Sequence, residues 1–529
     1  MTTSDDLARL VGMGRIGRRD LIKGAAAVGA MGAVERVLGR PAGAAMPKKG
    51  GHFKMGIGHG STTDSLSPVT WENGYTLLLC FAFANYLTEI DSSGKLVGEL
   101  AESWDASPDA KVWTFKLRKG VEFHNGKTMT AQDVIDSINS LHRGEDSKSP
   151  AKPLLSAVTG IKADGDNVVF TLEKGSADFP YLMSDYHMPI LPSNGDGTVM
   201  ADAGIGTGGY KVKHFEPGVR AELERNPNYW KEGKAHFDSA ELLSIIDVAA
   251  RTNALTTGEI HAMDRCDLKT VHLLKRDRNV VVTEVTGTRH YTFPMDTRAA
   301  PFDNNDVRLA LKYAIDRDEI VQKILRGYGK VGNDTPIAPA TSFYAELEQR
   351  TYDPDKAKFH LKKAGAEGLT VDLSAADAAF PGAVDAAVLY KEHAAKAGIT
   401  INVIREPNDG YWSNVWMKKP WSACYWGGRP TADWMFSTAY EAGVAWNDTF
   451  WDHKKFNQIL VEARVELDEA KRAAMYREMQ TIVRDEGGVV VPMFANYVGA
   501  HSTALANEGT VAGNWDSDGS KIVERWWFA

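Results

Sequence analysis

The sequence predicts an α/β protein with more than one lobe, and three observations carry that reading. The chain has 529 residues, of which 43% are hydrophobic, enough apolar side chains for two or three packed cores rather than one. Strand-like alternation and helix-like apolar stripes follow one another along the chain, the pattern of α/β architecture. Beyond the N-terminal region no run of 18 apolar residues occurs, so no segment reads as a membrane span.

The elements can be placed in order. Phe53–Gly58 reads as an opening strand running into a Gly/Ser/Thr loop. Over Val112–Leu117, alternation puts Trp113, Phe115 and Leu117 on one face of a strand. A helix begins at Thr130, with Asp133 placed for a capping box and Val134, Ile135, Ile138 and Leu141 along one stripe. Segments 161–163 and 168–172 form a strand pair around Asp164-Gly165-Asp166-Asn167, a turn by composition. That turn lacks the later Glu of a calcium-binding loop. Amphipathic helices are predicted at 305–326, 354–364, 382–397 and 453–485, and a strand at 399–404 directly follows Gly398. Seven of the fourteen tryptophans fall between Trp412 and Trp451, which marks that segment as unusual.

Composition excludes several classes of function. With 61 basic and 69 acidic residues the formal net charge is −8, and no basic stripe is long enough to follow a phosphate backbone, so no nucleic-acid partner is expected. Cys80, Cys266 and Cys424 are far apart and read as buried free thiols. The fourteen histidines show no paired metal-ligand spacing, so no metal site and no cofactor is expected. Gly56-Ile57-Gly58-His59-Gly60-Ser61 lacks the Gly-Lys-Ser/Thr of a nucleotide-binding loop and reads as a loop at the edge of a cleft, with His59 and Ser61 as candidate ligand contacts. A hydrolase built on His59 and Ser61 is a competing reading, but there is no G-x-S-x-G elbow, and no catalytic residue is assigned.

The first 45 residues read as an export signal. Arg18-Arg19-Asp20-Leu21-Ile22-Lys23 precedes a weakly apolar Ala/Gly stretch, and Ala42-Gly43-Ala44 follows where a peptidase could cut, the pattern of a twin-arginine signal. No cysteine follows the apolar stretch, so a free periplasmic protein is expected rather than a lipid-anchored one.

From Ala101 the stretch AESWDASPDAKVWTFKLRKGVEFHNGKTMTAQDVIDSI resembles the signature of family 5 extracellular solute-binding proteins. Further matching segments follow in order at Gly206–Tyr210, Asn226–Trp230, Val307–Leu311 and Ala314–Arg317. The resemblance covers most of residues 50–500. It implies a periplasmic-binding-protein fold of the large type, with two lobes closing by a hinge over a cleft and an added insertion lobe. The first lobe is expected at 46–90, 204–292 and 491–529, the insertion lobe at 91–203 and the second lobe at 293–490. It also implies a monomeric, non-enzymatic receptor that binds a peptide-like or other small polar solute and meets the membrane permease of an ABC importer transiently. Opine-like and oligosaccharide ligands stand as alternatives.

In the peptide-binding relatives an Asp after a Trp-x-Gly segment holds the ligand amine, and an Arg after a Val-Asp-Leu strand holds the ligand carboxylate. Here the first segment reads Tyr425-Trp426-Gly427-Gly428-Arg429-Pro430-Thr431-Ala432-Asp433-Trp434, with the charge reversed at Arg429. The second, Val371–Phe380, has no arginine. Arg429 is therefore expected either to take an anionic group of the ligand or to form a structural salt bridge to Asp433 or Glu441. Asp433 is the alternative amine anchor. The tryptophans of this segment read mostly as core, with one or two of Trp412, Trp426 and Trp434 as candidate stacking surfaces, and Gly428 lets the backbone approach ligand closely.

Overall fold

The computed structural model describes residues 47–529 apart from 72, 409 and 430. The export signal expected over 1–45 lies outside the described residues.

A nine-stranded mixed sheet organises the molecule. The strand His52–Ile57 pairs in parallel with Ser239–Ser244 on one side and with Ala262–Met263 on the other. Arg220–Arg225 and Tyr210–Glu216 extend one edge in antiparallel fashion. The other edge continues through two long antiparallel strands, Val280–Pro294 and Val489–Ser502. Each carries consecutive β-branched residues at one end (Val280-Val281-Val282-Thr283 and Val489-Val490-Val491), which suit a pleated strand; the second run is buried on both faces, whereas Val281 of the first is exposed. One end of this ribbon lies in the first lobe beside Ala262–Met263, and the other lies in the second lobe, where Cys424–Trp426 and Gly329–Val331 join it. The chain thus passes between the lobes on two paired strands, the geometry of a hinge. The pairing shifts register between Thr286 and His290.

The insertion carries its own four-stranded antiparallel sheet, in the spatial order Ala101–Ala106, Val112–Leu117, Asn167–Leu172, Val158–Asp164. Trp113, Phe115 and Leu117 share its buried face, and the predicted turn is the link between the last two strands. The helix Ala131–Ile138 packs near it with Val134 and Ile138 fully buried. The Asp133 carboxylate accepts bonds from the backbone N–H and the hydroxyl of Thr130, each at 2.8 Å, which closes the first turn.

In the second lobe the parallel strands Thr370–Ala375 and Thr400–Arg405 are joined by the helix Ala383–Ala395, a β-α-β unit. The helix predicted over 305–326 is divided into Asn305–Tyr313 and Arg317–Ile324, and the one over 453–485 into Lys454–Val465 and Glu469–Glu486. In both places an internal aspartate starts a new helix: Asp316 accepts from the Glu319 N–H and Asp468 from the Lys471 N–H, each at 3.0 Å.

The C-terminal segment returns to the first lobe. Leu505–Ala506 pairs with Trp527–Phe528, and the Lys521 ammonium bonds Glu89 and Glu99. Cys80, Cys266 and Cys424 are buried free thiols.

Candidate functional site

A cavity of about 500 Å³ lies between the lobes. The first lobe contributes His59, Asp264, Arg265 and Asp516, the hinge strands Arg289, Tyr291 and Tyr497, and the second lobe Phe380, Tyr425 and the Gly427-Gly428 backbone. Tyr186 of the insertion and Trp515 complete the aromatic part of the wall. The size and the lining, in which charged groups alternate with aromatic rings, fit a small polar organic solute.

The helix Gly74–Phe83 fixes one wall. Asn73 caps it, accepting from the N–H groups of Tyr75 and Thr76. The Gly74 N–H donates to His59 Nδ1 at 3.1 Å. Glycine is required there, since a Cβ would fall 2.6 Å from that nitrogen. His59 is neutral with its proton on Nε2, because Nδ1 is the acceptor. Burial first, then the charges of Arg265, Arg289 and Arg251, lower its pKa to about 4.

Three guanidiniums stand at this end of the molecule in different states. Arg251 is structural: it bonds the carbonyls of Ile245, Ile246, Asp264 and Arg265 and lies 3.5 Å from the Asp264 carboxylate. Arg265 Nε lies 3.4 Å from Asp516 but makes no hydrogen bond. Arg289 stands beside the Tyr291 and Tyr497 phenols, which with Asp516 hold its pKa up against burial, and among the described residues no carboxylate lies within ion-pair distance of it. Burial raises Asp264 to about 6, with the charge of Asp516 adding to it and the Gly58 N–H and two arginines opposing. Asp516 is also raised, by burial against the pull of Arg265 and Arg289.

His59 and Gly428, both singled out from the sequence, line the cavity. Gly428 presses against the hinge, since a Cβ there would fall 1.7 Å from Thr288 Oγ1. Ser61 belongs instead to a turn, its hydroxyl 2.7 Å from Thr63 Oγ1. Trp426 is 6% exposed in a core with Met435 and Phe436. Trp412 is 40% exposed and packs edge-on against Tyr425, one ring back from the cavity. Asp433 and Trp434 line a separate cavity of about 360 Å³ between the insertion and the second lobe.

Arg429 occupies a small recess that shares Gly428 and Trp515 with the main cavity. Its guanidinium donates to the carbonyls of Gly427 and Gly428 at 3.3 Å and pairs with no described carboxylate. Asp433 and Glu441 both turn to Arg464, at 3.4 and 3.2 Å.

Arg265, Arg289, Tyr291, Tyr497 and Asp516 were not foreseen from the sequence. One signal pointed to Arg289: Gly287 interrupts a β-branched run two residues before it, a mark of a bulge. Two side-chain groups among the described residues have the spacing of a cation site. In the set Glu89, Glu99 and Glu524 the carboxylates are bridged by Lys231 and Lys521. In the other set, Asp316, Glu319 and His393, His393 Nε2 is 2.9 Å from Glu319.

A sequence profile of bacterial extracellular solute-binding proteins, family 5 Middle, matches residues 95–448. The chain is 25% identical over 451 residues to the dipeptide-binding protein of Escherichia coli K12, covering 78% of this chain and 82% of that protein. Among solved structures, the fold is similar to the ABC transporter-associated periplasmic binding protein DppA from Helicobacter pylori in complex with peptide STSA, with a TM-score of 0.69, 24% identity and coverage of 91% of this chain and 98% of that one. It is also similar to AgaA from A. tumefaciens R10 in complex with agropinic acid, with a TM-score of 0.70, 23% identity and coverage of 90% and 99%.

Proposed function

Because the chain belongs to the family 5 bacterial extracellular solute-binding proteins, we propose that it is the receptor of an ABC importer, taking a peptide-like or other small polar solute between its lobes and delivering it to the permease. The observation that carries this reading is the cavity itself. It is walled by both lobes and floored by both hinge strands, so a ligand there touches the two bodies that must close and the two strands on which they move.

The reading includes a first lobe of 46–90, 204–292 and 491–529, an insertion at 91–203 and a second lobe at 293–490. It further includes export on the twin-arginine signal, release as a free monomer and the absence of catalysis. An opine-like ligand is supported by the likeness to the agropinic acid complex. The loop Asp377–Pro381, where peptide-binding relatives are expected to carry a carboxylate-binding arginine, lines the cavity without one.

The test is to release the solute from gently purified protein, identify it by mass spectrometry and add it back. A receptor returns the solute intact, gains thermal stability by mass action and contracts in small-angle scattering. Chemical conversion of the solute, or an unchanged scattering curve at saturation, would reject the proposal.

A further inference from the structure

We propose that Arg289, projected into the cavity by a bulge in the hinge strand, is the anchor for a carboxylate of the transported solute, so that this receptor takes carboxylate-bearing solutes and holds the acid group at the hinge. The inference rests on the receptor reading and deepens it to a substrate class.

The bulge comes first. Thr286 pairs with Asn496 and His290 with Phe494, so the three residues 287–289 stand opposite the single residue Ala495. Extra residues on one strand bend it and re-aim a side chain. Gly287 makes the bend possible, because a Cβ there would meet the Tyr497 ring at 2.7 Å. Beyond the bend, Arg289 and Tyr291 share the face that lines the cavity, while His290 between them is fully buried on the other.

The partner count comes second. Both first-lobe carboxylates of the wall are engaged, the buried Asp264 by Arg251 and the Gly58 N–H at 2.7 Å, and the half-buried Asp516 by Arg265. Asp377 is exposed at the second-lobe side. That leaves Arg289 with phenol oxygens but no described carboxylate. A guanidinium has five donors and accepts nothing, so its remaining N–H groups call for an anion. Burial lowers its pKa, but Tyr497, Tyr291 and Asp516 outweigh that effect and the group stays charged. The imidazole that lines the cavity, His59, is neutral and adds no competing cation.

Carboxylate is the group that fits. Its two oxygens match the fork of a guanidinium, and Arg265, paired with Asp516, stands in the same wall as a second positive charge. The flat rings of Tyr291 and Phe380, stacked at 4.3 Å and 12°, bound the space beside it. The anchor differs in place from the loop-borne arginine expected of peptide-binding relatives, because it sits on a strand that runs between the lobes.

The experiment compares matched pairs of probes that differ only in the acid group: Ala-Ala and its C-terminal amide, gluconate and sorbitol, and a carboxyalkyl amino acid and its methyl ester. Each is titrated at up to 1 mM into wild type, Arg289→Gln and Arg289→Lys, with binding read by calorimetry and lobe closure by scattering. The expected result is that at least one acid binds while its neutral partner does not. Arg289→Gln should weaken that acid about thirtyfold or more, with Arg289→Lys intermediate because it keeps the charge but loses the fork. A second readout is the His59 titration followed by NMR, which should move up from about 4 when the acid binds and also in unliganded Arg289→Gln. Equal binding of acid and neutral partner, silence of every acid, or affinity of Arg289→Gln within twofold of wild type would overturn the proposal. If a neutral probe binds and still contracts the molecule, the receptor reading stands and only the carboxylate class falls. Chemical conversion of a probe would instead strike the receptor reading.

Discussion

Gly428 sets the distance between the second-lobe loop and the hinge. A methyl group at that position would overlap Thr288 Oγ1, so Gly428→Ala must push the loop 427–429 away from the strand that carries Arg289. Overpacking of this kind costs about 1–3 kcal/mol. The expected outcome is a folded protein with solute affinity reduced roughly tenfold, read by calorimetry beside a circular-dichroism check of the fold. His290, on the opposite face of the same strand, gives a pH signature. Burial, with a contribution from Arg429, lowers its pKa to about 4 against the Thr288 carbonyl that raises it. The unfolded chain therefore binds a proton below about 6.5 that the folded one refuses until about 4, so stability contributed by this group falls as pH drops across that window. Wild type should lose about 2–3 kcal/mol more than His290→Asn between pH 7 and pH 4.5 in urea unfolding. At this scale the sequence was only partly legible. The Gly-Gly and His59 positions follow from residue type. Arg289 and Arg265, however, acquire their role from partners absent in sequence proximity, and Trp426, in a tryptophan-rich segment that suggested a ligand surface, is a core ring.

Between elements, the contact that holds the insertion to the second lobe is concentrated in a few bonds. Asp178 lies 2.5 Å from Arg472 on the helix Glu469–Glu486, the Ala177 N–H donates to the Arg464 carbonyl at 2.7 Å, and the Tyr181 and Ser342 hydroxyls are 2.8 Å apart. Arg472 and Asp178 are nearly excluded from water, so removing one partner strands the other at a cost of about 3 kcal/mol. Arg472→Gln should leave every cavity side chain in place yet reduce solute affinity by about tenfold or more, because the closed arrangement loses part of its support. Scattering should show a larger radius of gyration for the variant at a solute concentration that compacts wild type. Periodicity and turn chemistry placed most elements, including the insertion hairpin and the capped helix after Thr130. The apolar stripe runs on past Asp316 and Asp468 and so predicts two long helices, whereas in the structure each aspartate accepts from the N–H three residues ahead and starts a new helix.

For the whole molecule, fold class was readable from composition and alternation, and the resemblance beginning at Ala101 supplied the two-lobed plan. The position of the cavity was not, since it depends on residues from about 59 to 516 meeting across the hinge. The expected export route has its own test: changing Arg18 and Arg19 together to Lys should leave full-length precursor in the cytoplasm, and periplasmic accumulation at the wild-type level would reject the signal.

The strand order also dictates when the protein can fold. Val489–Ser502 sits between Ala262–Met263 and Val280–Pro294, so a ribosome releasing the chain residue by residue leaves both of those strands with open edges until almost the entire polypeptide has emerged. The insertion sheet, whose four strands lie within residues 101–172, needs no such wait. A nascent chain arrested before residue 489 should therefore protect the insertion sheet from protease while its first lobe is cut, and only release of the final segment should bring the remainder to native resistance.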